Sequence, residues 1–207
     1  MPMVNDKLTF FLASGSPRRK EMIDWLGIPY SIRTTAIDES SSIGDPALKS
    51  EDIAKQKGFG LCELLIKESK KDFLVLAADT IVSREGLCFG KPSDEDEARK
   101  TLSALSAKTH QVFTGVYLGL YDQGRLKEET FHCETEVEFH HITSDLMDLY
   151  IKCGEYKDKA GSYGIQGQAL TFIKSIQGSY SNVVGLPLSE VILKINGLLS
   201  GNFKDRF

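Results

Sequence analysis

The sequence predicts an α/β fold built on a mixed β-sheet flanked by helices. Three observations carry this. Strand-like and helix-like patterns alternate along the whole chain. Residues 73–82, FLVLAADTIV, form an apolar run of the kind a strand shows when both of its faces are buried. Residues 111–141 instead read as β-rich, with YDQGRL as a hairpin turn, and a hairpin brings antiparallel pairing into the sheet.

Each element follows from a local signal. Residues 8–13 are apolar and end in Ser-Gly-Ser-Pro, which opens a helix over about 17–26 with Ser16 as N-cap, Pro17 at its first position and Gly27 as its stop. A short strand is expected near 30–34. The polar loop DESSSIGDPALKS then leads into a long helix whose apolar stripe includes Ile53, Leu61, Leu64 and Leu65. After the apolar strand come a turn at Glu85-Gly86 and a helix capped by Ser93, with Asp94, Glu95 and Asp96 in its first turn as the helix dipole prefers. Beyond the hairpin, Ser144 is expected to cap a helix reaching about Cys153. A glycine-spaced loop DKAGSYGIQG, a strand near 169–176, a loop GSYSNVVGLP and a helix from Leu188 complete the chain.

At 207 residues, 41% hydrophobic and 26% charged, the chain fits one domain, 1–207, with a sizeable core. A net charge of -4 argues against a broad grip on nucleic acid or on an anionic membrane, so any anion site must be local. Cys62, Cys88, Cys133 and Cys153 show no metal-binding spacing and read as reduced thiols. The N-terminal residues lack the length and flanks of a signal peptide, and no run approaches the ~20 apolar residues of a membrane span. A cytoplasmic protein is the expectation. The four histidines show no ligand spacing and read as structural.

Several charged residues stand where folding alone would not put them. Arg18, Arg19 and Lys20 crowd a helix N-terminus, where they oppose the dipole by about 1 kcal/mol in total. A bound polyanion would reverse that sign. Asp79 interrupts the apolar strand, where an ionised carboxylate must be paired or bound. Lys57 falls on the apolar stripe of the long helix, so it either snorkels outward or points at a buried anion. Lys91 lies between a strand end and a helix cap. Glu39 and Gln166 are polar loop residues. Separated cations, carboxylates and a helix N-terminus together suit a metal-assisted phosphoanhydride hydrolase that uses water.

With these residues in view, the sequence resembles the Maf family of nucleoside triphosphate pyrophosphatases. The blocks LASGSPRRKEM, IDE, IAKQK, AADTIV, GKP, ARKTLSALSAKTHQVFTGV, DKAGSYGIQG and GSYSNVVGLPL carry the resemblance, in order and across nearly the whole chain. It implies an elongated mixed sheet in two lobes around a central cleft, similar to the inosine triphosphate pyrophosphatases. It also implies hydrolysis between the α- and β-phosphates with a divalent cation, Mg²⁺ or Mn²⁺, whose ligands it leaves open. Asp79 matches the proton acceptor, and Ser14, Arg19, Glu39, Lys57 and Lys91 match positions lining the triphosphate and metal. Arg18, Thr80 and Gln166 resemble the branch acting on dTTP and UTP. A homodimer and a link to septum formation are implied by the resemblance alone. Gly58 stands where the family usually has Ala, which should loosen the helix by up to ~1 kcal/mol. The rival readings are a purine or 7-methyl-GTP pyrophosphatase and a nucleotide-binding regulator that hydrolyses nothing.

Overall fold

The computed structural model describes residues 7–36 and 40–207. In chain order the elements are β1 (Thr9–Leu12), α1 (Pro17–Asp24), β2 (Ser31–Ile32), α2 (Pro46–Lys67), β3 (Phe73–Arg84), β4 (Leu87–Phe89), α3 (Glu95–Leu105), β5 (Thr109–Asp122), β6 (Arg125–Phe139), α4 (Ser144–Cys153), β7 (Ile173–Gln177), α5 (Tyr180–Val184) and α6 (Leu188–Leu199). The strands form one mixed sheet in the order β2-β1-β3-β5-β6-β7, and β4 pairs with β3. β1 runs parallel to β2 and β3, while every other pairing is antiparallel. The hairpin predicted at YDQGRL is present. Gln123 and Gly124 both have positive φ, which gives the turn the twist that two long antiparallel strands need.

Alternation along β3 and β5 sorts the core. Odd-numbered Phe73, Val75, Ala77 and Tyr117 pack with Ala54, Leu61, Cys62 and Leu65 of α2. Even-numbered Leu74, Leu76, Ala78, Val116, Leu118 and Leu120 face the other way, against α1, α6 and the C-terminal Phe203 and Phe207. Farther along that same even face, Val82 and Val112 join α3, α4, Tyr163 and Phe172 in a separate cluster. Two lobes therefore share one face of two long strands, and the space between them is the cleft. Among the described residues no helix is long and apolar enough to cross a membrane.

Some boundaries differ from the sequence reading. Asp94, not Ser93, caps α3, its carboxylate accepting from Glu97 N at 2.8 Å, while Ser93 N and Oγ both donate to Glu97 Oε2. Thr143, not Ser144, caps α4. The strand expected from residue 169 starts at Ile173, because residues 168–171 form a 3-10 turn. Residues 180–184, expected as loop, are α5, with Ser179 accepting from Asn182 N as the cap. At α3 and α4 a neighbouring short polar side chain takes the capping position.

Gly58 is corrected more sharply. A Cβ there would lie 2.1 Å from Tyr117 Cδ1. The Tyr117 ring is fully buried and its hydroxyl donates to Glu128 Oε1 at 3.1 Å, so it has no room to withdraw. Gly58 is thus a packing requirement of α2 on β5. Gly58→Ala should lower stability by about 1–3 kcal/mol despite the better helix propensity of Ala. The check is the urea midpoint at constant slope, and the loss should largely vanish in a Tyr117→Leu background.

Candidate active site

β3 is longer than its neighbour on one side. β1 covers residues 73–76 of that edge and β4 covers 82–84, so no strand pairs there with the five residues between, among the described residues. Asp79 and Thr80 sit in this gap. The loop after β1 and the first turn of α1 face it, and the cleft they help to form measures about 670 Å³. Strand ends next to such a break in pairing are where α/β sheets usually place ligands.

Asp79 points to the α2 face, opposite Gly115 in the antiparallel register. With no side chain at Gly115, α2 lies close over the strand, and a Cβ there would stand 2.2 Å from the Ser50 carbonyl. Helical side chains lean toward the N-terminus, so Lys57 reaches back along α2 to this level. Its Nζ donates to Asp79 Oδ1 at 2.8 Å, with the two side chains 14% and 17% exposed. The lysine on the apolar stripe therefore points at a buried anion. A pair this shielded from solvent is only weakly screened by salt, which keeps its geometry well defined.

Arg19 is held on three sides. Its Nε donates to Gly185 O at 2.7 Å, Nη1 to Ser14 Oγ at 3.2 Å and Nη2 to Thr80 Oγ1 at 3.0 Å. Thr80 Oγ1 lies 3.0 Å from Thr114 Oγ1, and Thr114 in turn donates to Asn182 O at 3.0 Å. Since Thr114 gives its proton to that carbonyl, Thr80 must donate to Thr114 and accept from Arg19. The hydroxyl protons all run away from the guanidinium, and such a chain is polarised in one direction. Ser14 Oγ also accepts from Ser16 N at 3.3 Å. Ser16 occupies the N-cap position of α1 but its side chain makes no capping bond, so the first turn is left facing the cleft.

Arg18 is half-buried in the cleft wall. Burial lowers its pKa, and Asp158 on the opposite lobe pulls the other way. Lys20 belongs elsewhere: on the outer face of α1 it pairs with Asp24 at 2.9 Å. Two of the three crowded cations thus face the cleft. Lys91 is at its rim after β4, and Gln166 is exposed on its far wall. Glu39 lies outside the described residues. The sequence reading missed that far wall's Glu155, Asp158 and Lys159, and also Thr114 and Asn182 behind Thr80. Asn182 is fully buried, but it follows Ser-Tyr-Ser in a run that reads as loop, so nothing in the sequence singled it out. The described cleft lining holds Arg18, Arg19, Lys57, Lys91 and Lys159 against Asp79, Glu155 and Asp158. A chain of net charge -4 has collected a local cationic excess there.

Residues 9–198 match the family described as Maf-like protein. This chain belongs to that family. A relative from Bacillus thuringiensis subsp. konkukian (strain 97-27), named dTTP/UTP pyrophosphatase, is 42% identical over 185 residues, 89% of this chain and 92% of its own. One of the same name from Bacillus cereus (strain ATCC 10987 / NRS 248) is 43% identical over 185 residues, covering 89% and 87%. A solved HAM1 protein from Coxiella burnetii covers 92% of this chain and 99% of its own at 16% identity. Its TM-score of 0.37 is too low to establish a shared fold.

Beneath the far wall of this Maf-like chain, Tyr163 Oη lies 2.9 Å from His110 Nε2, and the histidine is fully buried against Phe139. Burial pushes the imidazole down to about 4 from its ordinary 6.5. Between those values the unfolded chain binds the extra proton and the folded one does not. Stability from His110 is therefore complete above pH 6.5 and falls as the pH drops toward 4, by about 3 kcal/mol in all. Denaturant melts from pH 7 to 4 should show that decline, and a His110→Phe variant should show a flatter one whatever its stability at pH 7.

Proposed function

We propose that the chain hydrolyses nucleoside triphosphates, with dTTP and UTP as the preferred substrates, to the monophosphate and pyrophosphate. The observation that carries this is the Lys57–Asp79 pair set in a cationic cleft beside the first turn of α1. The names of the Bacillus relatives support the same reading. In it, the triphosphate lies among Arg18, Arg19, Lys57 and Lys91. The repulsion that crowded cations suffer at a helix N-terminus then becomes attraction.

Asp79 is the proton acceptor. A water oxygen attacks the α-phosphorus, its proton passes to the Asp79 carboxylate, and the bond from the α-phosphorus to the bridging oxygen breaks. The electron pair leaves with pyrophosphate. Lys57 keeps the carboxylate aimed and neutralises phosphate charge from the same side. Arg19, fixed by Ser14, Thr80 and Gly185, meets the transition state without having to reorganise. Gln166 offers a donor and an acceptor to a pyrimidine edge, and Arg18 closes the same end of the cleft.

The donors facing this cleft suit a divalent cation. Among the described residues no three His, Cys, Asp or Glu side chains gather as a ready-made metal cage. Mg²⁺, however, is usually held by one or two carboxylates together with substrate phosphates. Asp79 would hold Mg²⁺ or Mn²⁺ with those oxygens, and the resemblance matches Glu39 to the positions lining the triphosphate and metal. When bound, the cation would offset the charge that develops on the phosphates. Residues 1–207 act as one catalytic unit in this scheme, since both lobes line the cleft. The four free cysteines support a reducing, cytoplasmic setting.

A nucleotide panel with Mg²⁺ or Mn²⁺, scoring pyrophosphate apart from orthophosphate, tests the reaction. Pyrophosphate should come from dTTP and UTP and hardly at all from GTP or 7-methyl-GTP. Asp79→Asn should reduce turnover by a factor of about 10²–10⁴ while its melting temperature stays within a few degrees. An Asp79→Asn enzyme of full activity would refute the role given to the carboxylate.

A further inference from the structure

The turn carrying Gln166 is gripped by Glu155, a residue of the segment that follows α4. Glu155 follows Gly154, the left-handed cap of α4, and its neighbour Tyr156 is buried in the α3–α4 lobe. The Glu155 carboxylate accepts from Gln168 N at 2.9 Å. Its main-chain carbonyl accepts from Lys159 Nζ, and the stem of Lys159 lies along Gly164. Gly167 N donates to Gly164 O at 3.2 Å and closes the turn between these two anchors.

The glycines on either side of Gln166 record the same contact. A Cβ on Gly167 would lie 2.0 Å from Glu155 Oε2, and one on Gly164 would lie 2.6 Å from Lys159 Cε. Neither glycine has a positive φ, so backbone conformation does not demand glycine at either position. A side chain at either position would instead push aside the end of Glu155 or Lys159. Lys159 is half-buried and faces Arg18 across the cleft, with its pKa lowered first by burial and then by that guanidinium. The anchor is thus part of the cleft wall and not a distant surface contact.

We propose that Glu155 is a positioning residue for nucleotide selection. Through its carboxylate and, by way of Lys159, its carbonyl, it fixes the turn of residues 164–168 so that the Gln166 amide meets the base at one height and angle. The inference rests on the pyrophosphatase reading above and deepens it. A freed turn would still let the triphosphate bind, because Arg19, Lys57 and Lys91 belong to other elements. Only the base end of the substrate would lose its fit.

The test compares dTTP with inorganic tripolyphosphate, a competitor that has the phosphates and no base. Glu155→Ala should raise KM for dTTP about tenfold, the effect of losing one charge-assisted hydrogen bond, with a smaller change in kcat. The Ki for tripolyphosphate should stay within about twofold of wild type, a difference well under 1 kcal/mol. Glu155→Gln, which can still accept from Gln168 N, should restore most of the affinity. Gly167→Ala should reproduce the Glu155→Ala phenotype and add nothing in the Glu155→Ala background, since the obstructing carboxylate is gone. An unchanged KM for dTTP in a folded Glu155→Ala enzyme would overturn the proposal, as would a Ki for tripolyphosphate that rises in step with KM. If wild type releases no pyrophosphate from any nucleotide, the pyrophosphatase reading fails instead. Amide exchange then judges the anchor: Gln168 N–H should lose protection in Glu155→Ala, and undiminished protection would refute it.

Discussion

The distance between the α2 backbone and β5 sets the geometry of the cleft. Side chains normally cushion a helix on a sheet, but at Gly115 that cushion is missing, and at Gly119 the Cys62 thiol takes the space a side chain would fill. The Ser50 peptide sits directly over Gly115, the register partner of Asp79, and Gly58 clears the Tyr117 ring in the same way. Only at this separation does a lysine on α2 span to a carboxylate on β3. Had either glycine carried a side chain, the helix would ride higher and Asp79 would be left as a buried charge with a more distant partner. Packing and chemistry are therefore set by the same residues, and the apolar contacts of Leu61, Cys62 and Leu65 hold a charged pair in place.

The remaining parts of the cleft are fixed from separate directions. Arg19 reports to α1, to the tip of β1, to β3 and to the segment after α5, and the Thr80–Thr114–Asn182 chain carries that connection into the core. Asn182 is itself held by Val112 O and Thr135 Oγ1, so this network crosses from one lobe to the other beneath the cleft floor. The far wall is attached to the α3–α4 lobe through Tyr156 and Tyr163, while Ile165 beside Gln166 packs into the α1–α6 cluster. In the proposed scheme the phosphates would meet a frame shared by both lobes, and the base would meet the turn of residues 164–168.

Much of this was legible in the residues. The apolar strand, the misplaced Asp79 and the lysine on an apolar stripe each broke a local pattern, and the fold brings all three to one place. Arg18 and Arg19 were legible because they offended the dipole, and Lys20 shared that signal although it only pairs with Asp24 one turn on. A helix N-terminus does not say which of its side chains point inward. Gly58 was misread for a related reason: propensity is a property of the helix, whereas the ring that forbids a Cβ comes from a strand 59 residues away in sequence. Glu155 and Lys159 broke no pattern, being charged residues in a polar loop. Their role lies in contacts with backbone groups and glycines, which leave no periodic trace.

The gap in the edge of β3 has one further consequence. Five residues with no strand neighbour on that edge among the described residues, in a run as apolar as FLVLAADTIV, are what an invading strand from another molecule would pair with. That stretch is guarded by an inward charge at Asp79, by the Arg19 guanidinium lying across Thr80 and by flanks capped with β1 and β4. The groups that would handle phosphate thus also keep the sheet from growing. Selection for solubility and selection for activity act here on the same few atoms, so a lineage that lost its substrate would still have reason to keep the charges.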